Sequence, residues 1–356
     1  MRLATLILAG AACIALPVLA QTAPPPVAET PAPAPFDKAD AEKAVSDLAT
    51  AVEETFVFPD AGKKYAAMLR ANLAAGRYAS FADAEAFAEK VTADLQAVHK
   101  DGHLRLRPFG AQQRRRPGGP GKGPGKSAVT KAGWLSDGVA YIDFAGFPGD
   151  PATAADVTKF IAAHGNARTL IIDARRNGGG GLDEMNLLFA QLYAKPETLV
   201  IMDIRQAVEE KHGTPFGEDP TLRKVSGPAT IVRREHFVTP AATQSALKDA
   251  KVYLLTSKKT FSAAEHLSLS LKRTKRATLI GEATGGGAHF GGMVPMGTGY
   301  AAFVPVGRTF DPDTGESWEA VGVKPDVAVP ADKALDEALR LAGVKASGEV
   351  ALAQLR

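Results

Sequence analysis

The chain has 356 residues, 45% hydrophobic and 23% charged, enough for one large globular domain or two smaller ones. A formal net charge of +3 is too small to argue for a nucleic-acid partner. The single cysteine, Cys13, falls within the first twenty residues, so the remainder has neither a disulfide nor a thiolate metal ligand.

Residues 1–20 carry Arg2, then an apolar run from Leu3 to Leu19 that ends Val18-Leu19-Ala20. This is the anatomy of a secretory signal peptide cleaved near Ala20, and not of a membrane span, because a Pro/Ala-rich tract follows at once. The expected location is the periplasm or the medium. Lipoprotein anchoring through Cys13 is the lesser alternative, since Gly10 stands where a leucine belongs. Residues 21–36 read as an extended Pro/Ala-rich linker.

From residue 37 to 107 the pattern is helical. Val45, Leu48, Val52 and Phe56 share one face; Tyr65, Met68, Leu69 and Leu73 share another; Ser80 precedes a third run of Ala84, Phe87, Val91, Leu95 and Val98. Three short amphipathic helices bury little by themselves, so they are expected to pack on the following domain. Asp101-Gly102-His103-Leu104 comes next, with Leu104 and Leu106 alternating with Arg105 and Arg107 as in a half-buried strand. Residues 108–132 include Arg114-Arg115-Arg116 and a Gly/Pro run to Lys126. They read as a solvated basic loop, or as a flap for an acidic partner.

Over residues 133–342 strands and helices alternate: Val139–Phe144, a helix, Leu170–Asp173, a helix, then Leu199–Ile204. That rhythm implies a largely parallel sheet flanked by helices, an α/β fold. Lys211 to His236 is polar, broken by three prolines, and reads as an insertion bordering a cleft. Lys333 to Ala342, with Leu335, Leu339 and Leu341, reads as a short closing helix, and 343–356 as a C-terminal tail.

Two stretches carry chemistry. Thr169 to Asp173 is a buried strand that runs through Ala174-Arg175-Arg176-Asn177 into Gly178-Gly179-Gly180-Gly181. Four glycines imply close approach of backbone to something, either a phosphate, for which the spacing is wrong, or a substrate carbonyl. Asp173 either holds that loop or merely ends the strand, and Arg175 pairs with Asp173 or with a substrate carboxylate. Later, a strand at Val252–Leu255 leads to Ser262-Ala263-Ala264-Glu265. Ser262 fits a helix N-cap with Glu265 completing a capping box. The same position puts its oxygen beside unpaired N–H groups and the positive end of the helix dipole, which suits a developing oxyanion. His212, His236, His266 and His289 suggest a metal, yet lack H-E-x-x-H spacing. No metal or organic cofactor is implied. His266 lies one turn after Ser262 as a competing base, but a side chain there points back over the preceding turn.

Together with Gly281-Glu282-Ala283-Thr284, these segments resemble peptidase family S41, the C-terminal processing or tail-specific serine proteases. One branch uses a Ser–Lys dyad; the matching position here is Gly287. The branch with the tricorn core and the interphotoreceptor retinoid-binding protein is more similar, through Asp101-Gly102-His103-Leu104 and Glu319-Ala320-Val321-Gly322-Val323-Lys324-Pro325-Asp326. The resemblance implies a ClpP/crotonase-like spiral preceded by a small helical domain, and no PDZ domain fits in the basic loop. It implies a peptide or protein substrate, Ser262 as nucleophile, His103 as general base and Glu319 as its support, with Asp101 a rival for that role. The relay serine of the tricorn branch is Gly102 here. Backbone N–H groups of Gly179, Gly180 and Ala263 are the expected oxyanion hole, with Asp173, Arg175 and Asn177 as structural support. The alternatives are a noncatalytic lipid-, retinoid- or peptide-binding protein on the same fold, and an esterase.

Overall fold

A computed structural model describes residues 34–109 and 126–356. The expected signal peptide, Cys13, nearly all of the linker and the arginine cluster of the basic loop lie outside the described residues.

The three amphipathic runs are helices α1 (Lys38–Thr55), α2 (Pro59–Ala74) and α3 (Ala84–Val98). Side-chain caps start two of them: Asp37 accepts the Asp40 N–H, and Asp83 accepts the Ala86 N–H. Then follow β1 (Arg105–Pro108), β2 (Val129–Ser136), β3 (Val139–Phe144), α4 (Pro151–His164), β4 (Thr169–Asp173), α5 (Asp183–Leu192), β5 (Glu197–Arg205), α6 (Gln206–His212), β6 (Leu222–Val225), β7 (Ile231–Val238), β8 (Lys251–Thr256), α7 (Ala263–Arg273), β9 (Thr278–Gly281), β10 (His289–Met296), β11 (Tyr300–Phe310), β12 (Val327–Ala328), α8 (Ala334–Leu341) and α9 (Gly348–Ala353).

These strands make two sheets. The first has the order β12-β9-β8-β4-β3-β2, parallel except for the pairing of β2 with β3. Every residue of β3 and β4 is buried, as a parallel strand covered on both faces requires. Ile142, Leu170, Ile172 and Leu254 face α4, α5 and α7, while Tyr141, Ile171, Tyr253 and Leu255 face α8 and α9. That alternation is the two-residue period of a strand read out as two cores.

The second sheet is antiparallel, with the order β1-β11-β5-β7-β6 and β10 added on β11. Here the structure corrects the sequence reading. The β5 strand does not continue the parallel βαβ series; it pairs with β7 and with β11, and the next parallel strand after β4 is β8. The three N-terminal helices pack as expected, burying Val45, Leu48, Tyr65, Phe87 and Leu95 against Leu104 and against Leu106, Tyr300 and Val304 of this second sheet. No helix among the described residues is long and apolar enough to cross a membrane.

Candidate active site

Parallel pairing places the carboxyl ends of β4 and β8 side by side, with Asp173 opposite Leu255. The loops that leave those ends are therefore neighbours, at the edge where open α/β sheets bind ligands. They are stitched together: Thr260 Oγ1 donates to the Ala174 carbonyl at 2.7 Å, Ser257 Oγ to that of Arg175 at 2.6 Å, and the Phe261 N–H to that of Asn177 at 3.0 Å. The glycine loop is thus held directly against Ser262.

Ser262 is the N-cap of α7 and has φ 56°, ψ −121°, a left-handed backbone that costs a non-glycine residue on the order of 1–3 kcal/mol. Only an over-determined surrounding sustains it, and Glu265 supplies much of that. Its buried carboxylate accepts the Ser262 N–H (2.9 Å), the Thr284 hydroxyl (2.5 Å) and the N–H groups of Gly286 and Gly287 (both 2.7 Å). Burial pushes the Glu265 carboxyl up in spite of these donors. The sequence reading gave Glu265 a cap alone; the structure makes it the clasp between α7 and the glycine turn. Ser262 and Glu265 form the capping box that their spacing predicts, and the Glu265 N–H also donates to the Ser262 carbonyl at 2.8 Å.

Of the three expected oxyanion donors, the structure removes one. The Gly179 N–H already donates to Asn177 Oδ1 at 2.8 Å, so its single proton is committed. The N–H groups of Gly180 and Ala263 make no backbone hydrogen bond, and both residues line the pocket at Ser262. Gly179 matters sterically instead: with φ +97°, a methyl there would lie 2.7 Å from Ser262 Cβ and from the Phe261 carbonyl oxygen. Asn177 is structural support on both sides, holding Gly179 by its side chain and Phe261 by its carbonyl. Asp173 pairs with the Arg175 guanidinium (2.5 Å) and accepts the Tyr141 hydroxyl (2.8 Å), while Arg175 Nη1 donates to the Ala331 carbonyl. Both roles of this pair are internal, which closes the substrate-carboxylate option for Arg175.

His103 is buried, its ring between Phe261 (centroids 4.6 Å apart) and Phe303 (4.9 Å). A methyl on Gly287 would lie 2.7 Å from His103 Cε1 and 2.3 Å from Phe261 Cζ, so the space around the Ser–Lys lysine position is filled by these rings. Burial holds the His103 imidazole down to about 4, hence neutral at pH 7. Its Nδ1 is buried without a partner, and no hydrogen bond joins it to Ser262. Neither carboxylate meets its ring: Glu319 accepts the N–H groups of Gly102 (2.6 Å), Ala288 (2.6 Å) and His289 (3.1 Å), and Asp101 Oδ1 accepts those of His103 and Leu104 (both 2.8 Å).

The imidazole that a carboxylate does hold is His289. Its Nδ1 lies 2.7 Å from Asp101 Oδ2, and its residue lines the Ser262 pocket. Asp101 is deeply buried, which pushes its carboxyl up, yet the His289 bond and the two backbone donors outweigh this and keep it below the usual range. Asp101, His289 and Glu319 are close enough to suggest a cation, but the N–H groups aimed at both carboxylates make this an anion-stabilising cage. Sequence reading weighed His289 only as a metal ligand, because nothing in the spacing ties residue 289 to residue 101.

The pocket itself is a cavity of about 260 Å³ walled by Gly180, Leu182, Met202, Phe216, His266 and Trp318 besides Ser262 and His289. The model of peptidase family S41 matches residues 138–329, and that of the family's N-terminal domain in eukaryotic interphotoreceptor retinoid-binding protein matches residues 38–127. The fold is similar to that of a candidate peptidase from Parabacteroides merdae (16% identity, 88% of this chain and 96% of that one, TM-score 0.54). It is also similar to the photosystem II D1 C-terminal processing protease (15%, 86% and 98%, TM-score 0.51) and to a lipoprotein from Streptococcus agalactiae (14%, 85% and 95%, TM-score 0.52). With a family match over more than half its length and a strained serine at a helix start beside a glycine loop, the chain belongs to peptidase family S41 and is a serine-type peptidase.

Proposed function

We propose that this is an exported peptidase in which Ser262 attacks the scissile carbonyl, His103 takes the hydroxyl proton and returns it to the leaving amine, and Glu319 fixes the segment that carries His103. The oxyanion of the tetrahedral intermediate is held by the N–H groups of Gly180 and Ala263. The observation that carries the reading is the left-handed Ser262 at the start of α7, pressed against the glycine loop. The apolar leader of residues 1–20 supports export. Glu319 supports His103 through the Gly102 N–H, not through its ring.

A second assignment of the base is favoured by a specific observation: His289, oriented by Asp101 and bordering the pocket, has the carboxylate–imidazole arrangement that His103 lacks. Fluorophosphonate labelling of Ser262 separates the two. His103→Gln is expected to slow labelling at least a hundredfold and His289→Gln by tenfold or less; the reverse order assigns the base to His289. Ser262→Ala with undiminished peptide cleavage would refute the nucleophile. Export is checked by N-terminal sequencing of the mature protein, which is expected to begin close to Gln21.

A further inference from the structure

We propose that the pocket beside Ser262 selects a cationic side chain of the substrate, lysine or arginine, through the His266 Nδ1 lone pair and the carboxylates of Asp183 and Asp219. The inference rests on the peptidase reading and gives it a substrate class.

A directional chain of hydrogen bonds fixes what His266 offers. Asp219 Oδ1 is a carboxylate oxygen and accepts; Thr221 Oγ1, 2.6 Å away, spends its one proton on it. The Thr221 oxygen is then the acceptor for Asn186 Nδ2 at 3.1 Å, which turns Asn186 Oδ1 toward His236 Nε2 at 2.8 Å. An amide oxygen only accepts, so His236 donates from Nε2, and as a neutral ring it accepts at Nδ1. The atom facing that Nδ1, at 2.8 Å, is His266 Nε2, which donates in turn. His266 is therefore left with a lone pair on Nδ1. Burial depresses His236 to about 3 and His266 well below the ordinary histidine range, so both rings stay neutral at physiological pH.

That lone pair has no partner among the described residues and is not sealed from solvent, although the residue is 4% exposed; His266 lines the pocket. Among the described lining residues there are two carboxylates, Asp183 and Asp219, and neither lysine nor arginine. His289, whose Nδ1 faces Asp101, is a second imidazole on the lining. Met202, Phe216 and Trp318 provide apolar wall for the methylene stem of a long side chain. A site of acceptors and negative charge with an apolar flank discriminates against a side chain that brings no proton to it.

The test uses two peptidyl phosphonate probes that differ only beside the phosphorus, one with the lysine side chain and one with norleucine, its uncharged counterpart. The mature protein is expected to be labelled at Ser262 at least tenfold faster by the lysine probe. In His266→Phe and in Asp219→Asn the ratio of the two rates should fall to about threefold or less; because it is taken within one preparation, any misfolded fraction cancels. A wild-type ratio of one or below, with Ser262 labelled by the norleucine probe, overturns the cationic pocket and leaves the peptidase intact. A tenfold ratio that survives both substitutions overturns the assigned acceptors. Failure of both probes and of a small fluorophosphonate overturns the peptidase reading itself.

Discussion

Ser262 combines three conditions that single side chains seldom meet together: positive φ, the N-cap of a helix, and a neighbouring glycine with no room for a side chain. Gly179→Ala tests the last of these. The added methyl meets the Phe261 carbonyl oxygen and Ser262 Cβ at 2.7 Å, and the backbone at φ +97° disfavours any L side chain. We expect kcat/KM to drop at least a hundredfold with the far-UV circular dichroism unchanged, since displacement of a nucleophile by about an ångström suffices for such a loss. His103 gives a pH prediction at the same scale. If it is the base, it stays neutral down to about pH 4, and the acid limb of kcat/KM should fall near 4 rather than near 6.5. A limb near 6.5 would count against His103.

Glu265 belongs to the scale of elements, because one carboxylate joins α7 to the turn after β9. It takes one hydroxyl and three backbone protons. Replacing one oxygen by an amide NH₂ sets donor against donor inside a sealed site. Glu265→Gln is expected to destabilise the protein by about 3 kcal/mol and to lower kcat together with stability, measured by urea denaturation and steady-state kinetics. Gly287→Lys asks a related question of the turn. The side chain that serves the Ser–Lys branch would have to displace Phe261 and His103 here, so it should inactivate rather than substitute for the imidazole.

At the scale of the whole molecule, three buried histidines, His103, His236 and His266, are held neutral while the unfolded chain protonates them near 6.5. Between pH 6.5 and 4 the unfolded state binds more protons, so stability falls as pH falls through this window. Glu184 and Glu265, whose carboxyls burial pushes up, act in the opposite sense above about 4.5. The cleanest measurement is therefore a difference. Removing His236 with His236→Asn should flatten the stability–pH slope by up to about 1.4 kcal/mol per pH unit. An unchanged slope would mean that His236 is not held neutral in the fold.

The sequence by itself determined the elements whose partners are local. Helical spacing gave α1 to α3, continuous apolar runs gave β3, β4 and β8, and a serine with a glutamate three residues on marked the start of α7. The ordered motifs also named Ser262 and the glycine loop, because their chemistry is written in contiguous residues. What only the tertiary structure decided depends on residues far apart in the chain. The β5 strand looks like one more parallel strand until its hydrogen bonds to β7 and β11 are known, since an apolar run carries no record of its neighbour's direction. Gly179 is spent on Asn177, Asp101 turns to His289 across 188 positions, and Asn186 and Asp219 orient His266 through His236. A hydrogen bond is set by a few tenths of an ångström between groups that the fold alone brings together, whereas sequence spacing measures distance along the chain.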